Sequence, residues 1–419
     1  MQMSSNGPLV IVGAGHAGAE LALSARQQGW AGTITLVGEE VHLPYQRPPL
    51  SKAYLSGSAD GAALELRSPE AFDKAGVTLK TGTRVLRIDR AARQLLLADG
   101  SHLAYAKLAL CLGGRPRPLT APGLVPGSTP PNLHCLRTRG DADGLRAQLA
   151  PGRRLVVVGG GYVGLEVAAS ARKLGASVVV VEGQPRVLAR VTGPALSAFY
   201  EEVHRAAGVD LRTGVTVNRA ECAPGSGAIE ALVCSDGSVL HADLVLAGIG
   251  MLPNVELAAA AGLAVADGIV VDAFGCSSDP DIHAAGDCTN LPSALYGRRL
   301  RLESVPNALE QARAVAAALC GKPKAYDPVP WFWSDQYELK LQMVGLSHGE
   351  DQCVLRGAPG TRSFIAFYLR AGRVVAAEAV NRPQDFMVAK RLVAASAPAL
   401  PQVLADESQP LKGLLAVPA

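Results

Sequence analysis

No two of the eight cysteines, at positions 111, 135, 222, 234, 276, 288, 320 and 353, stand at C-x-x-C or C-x-x-x-x-C spacing. Zinc-ligand and redox-dithiol patterns are therefore missing, and the expectation is reduced thiols in a cytosol. No apolar run approaches the length of a membrane span. The opening MQMSSNGPLVIVG has neither a basic region nor a cleavage site ahead of its first apolar run, so no secretory signal and a cytoplasmic location are expected. The formal net charge of +3 gives no case for nucleic acid. Low-complexity sequence is confined to short Pro/Gly loops such as APGLVPGSTPPN. What is present is a 48% apolar, 18% charged chain of 419 residues, long enough for two or three domains.

One stretch occurs twice. LVIVGAGHAGAELALSARQQG (9–29) and LVVVGGGYVGLEVAASARKLG (155–175) align without a gap, with 12 of 21 positions identical. Each begins with an apolar run of strand length. Glycines follow at G-x-G-x-x-G spacing: Gly13, Gly15 and Gly18, then Gly159, Gly161 and Gly164. A small-residue amphipathic stretch comes next and closes on Gly29 or Gly175, where a helix C-cap belongs. A second apolar run then ends in an acid, Glu39 in TITLVGEE and Glu182 in SVVVVEG. The first glycine permits the tight turn, the second lets backbone approach a pyrophosphate, and the third lets the helix pack on the strand. The helix N-terminus offers free N–H groups to phosphates, and the acid accepts from a ribose diol. One glycine triplet is a weak signal. Strand, glycines, helix, strand and acid in that order, twice, predict two dinucleotide sites, the usual equipment for moving hydride between two redox cofactors.

The rest of each unit follows a common order. VTLKTGTRVLRID and a hairpin around Asp99-Gly100 precede the apolar KLALCLGGRPR (107–117). VDLRTGVTVNRAE and a hairpin around Asp236-Gly237 precede ADLVLAGIGMLPN (242–254). A helix is expected over VPNALEQARAVAAALCG (305–321). From about Pro328 the chain becomes aromatic, in VPWFWSDQYELKLQMVG. Strand-like pieces CVLR, SFIAFYLR and RVVAAEAVN follow, then a helix-like PQDFMVAKRLVAASA. This last part reads as α+β with an antiparallel sheet.

The motifs PPLSKAYL, GGRPRPL, VVVGGGYVGLEVAA, DLVLAGIGMLPN, AAGDC, SVPNALEQAR and PWFWSDQYE, spread over nearly the whole chain, resemble the pyridine-nucleotide-disulfide-oxidoreductase superfamily of glutathione-reductase fold. Within it, the chain resembles the NADH-dependent ferredoxin reductases that feed cytochrome P450 and ring-hydroxylating oxygenases. The resemblance implies an α/β fold with two Rossmann-like dinucleotide-binding domains and a C-terminal α+β domain. FAD would be held by residues 1–118 and 252–328, and NADH by residues 119–251. Residues 329–419 would form the third domain, beside the flavin.

The resemblance also implies roles. Asp287 in AAGDC would bond the FAD ribityl chain, although an isolated Asp after Gly is more often a turn residue. Lys52 would lie near flavin N5 and pair with Glu166; a cation there steadies negative charge on the reduced ring. Glu166 stands at a helix start, where a carboxylate is favoured in any case. Arg47, Ala17, Val85, Arg137 and Val305 fall at FAD contacts, and Glu39 at the FAD ribose. Tyr162 and Val163 fall where NADH docks, Gly250 where its nicotinamide half approaches, and Gln184 and Arg190 at its adenosine end. Glu182 favours NADH over NADPH, because a carboxylate repels a 2′-phosphate; Arg186 and Arg190 follow closely and oppose that reading. Trp331 and Trp333 read either as core aromatics or, by resemblance, as a surface by the flavin where a ferredoxin docks. Arg313, Lys390 and Lys412 match basic positions on that face, with Arg67 at its edge. Between Tyr296 and Pro328 there are six Lys/Arg against three Asp/Glu, an excess that suits an acidic [2Fe–2S] partner.

Relatives that reduce disulfides carry C-x-x-x-x-C after the first unit. Here PPLSKAYLSG has no cysteine, so electrons are expected to leave the flavin directly. A [2Fe–2S] ferredoxin serving a cytochrome P450 or other oxygenase is the first expected acceptor. Rubredoxin, monodehydroascorbate or a quinone are alternatives, and so is a flavoprotein of the apoptosis-inducing-factor kind. No metal site is expected.

Overall fold

The computed structural model describes residues 6–415. The chain divides into two compact units: residues 1–46, 61–115 and 252–330 in the first, and residues 47–60, 116–251 and 331–419 in the second.

The first unit is built on a five-stranded sheet in the order Ile282–Ala284, Lys107–Leu110, Leu9–Val12, Ile34–Val37, Val77–Lys80. Every neighbouring pair in it is parallel. Leu9–Val12 is central and buried throughout, which explains an uninterrupted apolar run rather than an alternating one. The helices His16–Gln28 and Val305–Leu319 pack their alanine-rich faces together over the sheet.

The second unit repeats that plan. Its parallel sheet runs Asp210–Thr213, Ser177–Glu182, Arg154–Val158, Leu244–Ala247, Leu133–His134. The repeat extends beyond the glycines. VTLKTG and VDLRTG each end a sheet-edge strand, and at Gly82 and Gly214, both at positive φ, the chain leaves the parallel sheet for a small antiparallel one. The runs read from sequence as continuous are therefore two strands each, Val77–Lys80 with Val85–Asp89 and Asp210–Thr213 with Val217–Cys222. The expected hairpins form around Asp99-Gly100 and Asp236-Gly237.

The C-terminal part is a five-stranded antiparallel sheet in the order Trp331–Gln336, Leu339–Gly345, Arg373–Val380, Ser363–Arg370, Gln352–Ala358. The helix Pro383–Ala394 follows it. One core joins this sheet to the second parallel sheet, with Leu339, Leu341, Phe364 and Tyr368 packed with Leu165, Leu196 and Tyr200. The fold is the expected one: two Rossmann-type α/β sheets and a C-terminal α+β part. No helix among the described residues is long and apolar enough to cross a membrane.

Candidate functional site

The two glycine turns have the same construction. Gly13 and Gly159 have φ of +108° and +110°, and a Cβ at either would lie within 2.4 Å of a backbone carbonyl oxygen, that of Cys111 or Gly248. Only glycine fits there. A Cβ at Gly18 or Gly164 would strike the carbonyl of Gly13 or Gly159 at 1.9 or 2.1 Å, so these glycines let each helix seat on its own turn. At Gly15 and Gly161 the result is opposite: a Cβ would meet nothing within 4 Å. Each of these two residues is the N-cap of its helix, with no side-chain cap bond and no acid in the first turn. Each turn is thus an open cradle beneath uncapped backbone N–H groups at the positive end of a helix, and a pyrophosphate fits it.

The acids after the two turns are placed differently. Glu182 ends its strand and closes on its own turn, accepting from Gly160 N at 2.7 Å and from Gln184 N at 2.7 Å. In the first unit the register places Gly38 where Glu182 stands, with Glu39 one residue further on. Glu39 is exposed and faces Arg84 at 3.6 Å. Neighbouring Glu40 accepts from Tyr45 Oη at 2.5 Å. Asp287 is half-buried after Gly286, whose N–H donates to Gln311 Oε1 at 2.8 Å; Ala17 is buried, and Val85 and Val305 are half-buried.

In the second unit Lys52 and Glu166 meet. Lys52 follows the short 3-10 turn Pro48–Ser51, and Glu166 lies in the first turns of Tyr162–Lys173. Lys52 Nζ is 2.7 Å from Glu166 Oε2, and Glu166 is 4% exposed. Two hydroxyls share the carboxylate: Ser51 Oγ donates to Oε2 at 2.5 Å and Ser334 Oγ to Oε1 at 2.6 Å. Neither serine stood out in the sequence. Ser51 lies inside the PPLSK motif, but nothing in sequence ties Ser334 to a glutamate so far along the chain. Arg47 donates to the carbonyl of Arg137 at 2.6 Å, so these two expected flavin contacts lie together.

The loop after Glu182 resolves one of the two competing arginines. Arg186 donates to Thr192 O, Ser197 Oγ and Ala189 O, which ties it into the loop. Arg190 is exposed beside Gly250: a Cβ there would stand 3.7 Å from Arg190 Nη2. Gln184 is exposed as well. Tyr162 packs against Phe332, ring centroids 4.8 Å apart and planes tilted by 40°, and donates to Met343 Sδ at 2.8 Å, while Val163 is exposed. Behind this loop, Glu378 is 3% exposed. It accepts from Tyr368 Oη at 2.5 Å and Gly193 N at 3.4 Å, and burial pushes its pKa up to about 7.

The basic and aromatic residues expected at a docking face are distributed as follows. Trp331 and Trp333 are half-buried with ring centroids 5.8 Å apart, and Lys390 Nζ sits 4.1 Å over the Trp331 ring. Lys412 is exposed in the short turn Leu411–Leu415. In the first unit Arg67 is exposed, and Arg313 pairs with Glu20 at 2.6 Å. Among the described residues no group of three or more His, Cys, Asp or Glu could hold a metal ion. All eight cysteines are free.

Two open nucleotide cradles on parallel sheets, one accompanied by a lysine–carboxylate pair, define a two-dinucleotide oxidoreductase. The chain belongs to the pyridine nucleotide-disulphide oxidoreductase family, whose model matches residues 7–312; the reductase C-terminal model matches residues 331–415. It uses FAD and a nicotinamide dinucleotide, as that family does. It is similar to putidaredoxin reductase CamA of Pseudomonas putida, with 50% identity over 99% of this chain and 98% of that one. It is also similar to rhodocoxin reductase of Rhodococcus erythropolis, at 45% over 96% and 93%. Among solved structures, the covalent putidaredoxin reductase–putidaredoxin complex matches with a TM-score of 0.93 and 49% identity, covering 98% of each chain.

Proposed function

We propose that this protein is an FAD-dependent NADH:ferredoxin reductase that passes electrons to an acidic [2Fe–2S] ferredoxin supplying a cytochrome P450 or another oxygenase. The observation that carries this reading is the duplicated open cradle in a chain whose cysteines are all unpaired. Relatives named as reductases of putidaredoxin and rhodocoxin, similar over almost their whole length, support the acceptor.

In this reading the cradle of Gly13, Gly15 and Gly18 holds the FAD pyrophosphate, with Asp287 on the ribityl chain and Glu39 on the ribose. Ala17, Arg47, Val85, Arg137 and Val305 contribute further contacts. Residues 1–118 and 252–328 serve FAD, residues 119–251 serve NADH, and residues 329–419 serve the partner. When bound, FAD would supply the hydride acceptor for NADH and the means of releasing two electrons one at a time. The chain's own part is to bind and orient. Gly159, Gly161 and Gly164 seat the NADH pyrophosphate, and Glu182, already fixed by two backbone N–H groups, receives the ribose hydroxyls on its remaining lone pairs. Tyr162, Val163 and Gly250 shape the nicotinamide end. Lys52, held by Glu166, supplies a positive charge where the ring gains a negative one.

The test is acceptor choice. Anaerobic NADH oxidation should be fast with a [2Fe–2S] ferredoxin and slow with rubredoxin, a quinone or no acceptor. Equal rates with rubredoxin would move the protein to that acceptor class.

A further inference from the structure

Glu166 is the end of a longer buried chain. Its Oε1 accepts from Ser334 Oγ at 2.6 Å. Gln336 Nε2 donates to Ser334 Oγ at 3.3 Å. Gln336 Oε1 lies 2.8 Å from His204 Nε2, and His204 Nδ1 lies 3.2 Å from Tyr337 Oη. Ser334, Gln336 and His204 are each no more than 1% exposed.

The strand explains the alignment. Ser334 and Gln336 are two residues apart on Trp331–Gln336 and face the same side, while Trp331 and Trp333 face the other. Their positions are fixed by pairing to Leu341 and Leu339 on the next strand.

The donor directions are fixed as well. A buried carboxylate needs a donor on each oxygen. A serine hydroxyl has one proton, so giving it to Glu166 leaves Ser334 Oγ to accept from the Gln336 amide. That orientation turns the Gln336 carbonyl to His204, which must then carry its proton on Nε2 and accept from Tyr337 on Nδ1. Burial holds the His204 pKa below its usual value, so the ring stays neutral. Every donor in the chain points toward Glu166, and each polarises the next.

We propose that Ser334, backed by Gln336 and His204, is a positioning residue for Lys52: the chain fixes the Glu166 carboxylate, and the carboxylate fixes the ammonium. This rests on the reading above that Lys52 lies against the flavin. The groups bearing on Glu166 are Lys52, Ser51 and Ser334 by contact, and the phenols of Tyr162 and Tyr200 through space. Loss of either serine removes a donor without removing a charge, but Ser51 adjoins Lys52 in the chain, so Ser334 is the one whose loss leaves the lysine's own turn intact.

The experiment compares Ser334→Ala, Ser334→Thr, Gln336→Met and Lys52→Met, each at full FAD occupancy, by equilibration of the bound flavin with a reference redox dye. A displaced ammonium stabilises the reduced ring less. Ser334→Ala should therefore shift the reduction equilibrium about tenfold toward the oxidised form, about 30 mV for a two-electron couple. Ser334→Thr, which keeps the hydroxyl, should restore it. Gln336→Met should shift it less, in the same direction. Imidazole 15N shifts of the protein at full FAD occupancy, with the flavin oxidised, should show His204 neutral and protonated on Nε2 at pH 7; an Nδ1-protonated ring would break the chain. A shift in Lys52→Met with none in Ser334→Ala overturns the proposal alone. No shift in Lys52→Met removes the lysine from the flavin, and the proposal with it. If Ser334→Ala does not fold, Gln336→Met decides in its place: a shift toward the oxidised form upholds the proposal, and no shift overturns it.

Discussion

Lys52 and Glu166 meet at 2.7 Å where the carboxylate is almost fully buried and the lysine is one-fifth exposed. Such a pair gives little net stability, because desolvation offsets attraction, but removing one partner strands the other charge. Lys52→Met should therefore destabilise the protein by about 3 kcal/mol, and Lys52→Met with Glu166→Gln should recover most of that loss. Denaturant midpoints of the two single variants and the double variant measure the coupling. Additive losses would mean that the ion pair does not act as a unit.

Nucleotide choice follows from Glu182. Both its oxygens are fixed by backbone N–H groups, and Arg186, the nearer candidate for a 2′-phosphate, is spent on its own loop. NADH should be preferred to NADPH by at least about tenfold in kcat/KM, roughly 1.4 kcal/mol. Glu182→Ser should narrow the gap mainly by improving NADPH. If both nucleotides serve equally in the unmodified protein, exposed Arg190 has outweighed the carboxylate.

Glu378 gives stability a pH dependence. Its folded pKa, about 7, is above the ordinary 4.5 because burial disfavours the charge, and Tyr368, Gly193 N and Arg186 offset this only in part. The carboxyl's contribution is fully present below pH 4.5 and is lost as pH rises through 7. Glu378→Gln should match the unmodified protein at pH 4 and exceed it at pH 8 by up to about 3 kcal/mol. Denaturant midpoints at the two pH values check this. A pH-independent difference would mean that the carboxyl does not change its protonation on folding.

No cysteine should carry electrons. Burial raises the Cys111 thiol well above its ordinary pKa and pushes Cys288 up to about 11, and only Cys353 is exposed. A thiol reagent should reach Cys353 first and leave ferredoxin reduction nearly intact. Loss of turnover at full FAD occupancy would reveal a redox thiol.

Much of this was legible in the sequence because it rests on local geometry. The glycine turns, their helices, the hairpins at Asp99-Gly100 and Asp236-Gly237 and the helix from Val305 follow from short-range sterics and periodicity. Two features were not legible. The breaks at Gly82 and Gly214 lie inside strand-like sequence, and only the sheet each half joins separates the halves. The chain from Tyr337 to Glu166 joins residues far apart in sequence, each unremarkable alone. The charges show the same limit: Lys390 and Arg313 read as free cations until their partners, Trp331 and Glu20, are seen.

Those partners shape the docking prediction. Lys390 over the Trp331 ring forms a cation–π contact beside Trp333, so charge and aromatic surface lie in one patch of the second unit. An acidic ferredoxin attracted there should associate faster at low salt, with the attraction screened over about 10 Å at 0.1 M. Lys390→Glu should raise KM for ferredoxin at low salt and flatten its salt dependence. Flavin reduction by NADH without ferredoxin, followed by stopped flow, should not change. Arg313 differs, because Glu20 already offsets its charge; Arg313→Ala uncovers that carboxylate and should raise KM in a salt-sensitive way without touching the aromatic patch. Trp333→Ala separates two roles for the ring. If the indole lies on the electron path, the transfer rate within the complex falls more than the affinity; if it is only a contact, affinity falls and the rate holds. Ferredoxin kinetics unchanged at both low and high salt in Lys390→Glu and Trp333→Ala alike would place docking on another surface. The nucleotide assignments would stand, since they rest on the glycine cradles and on Glu182.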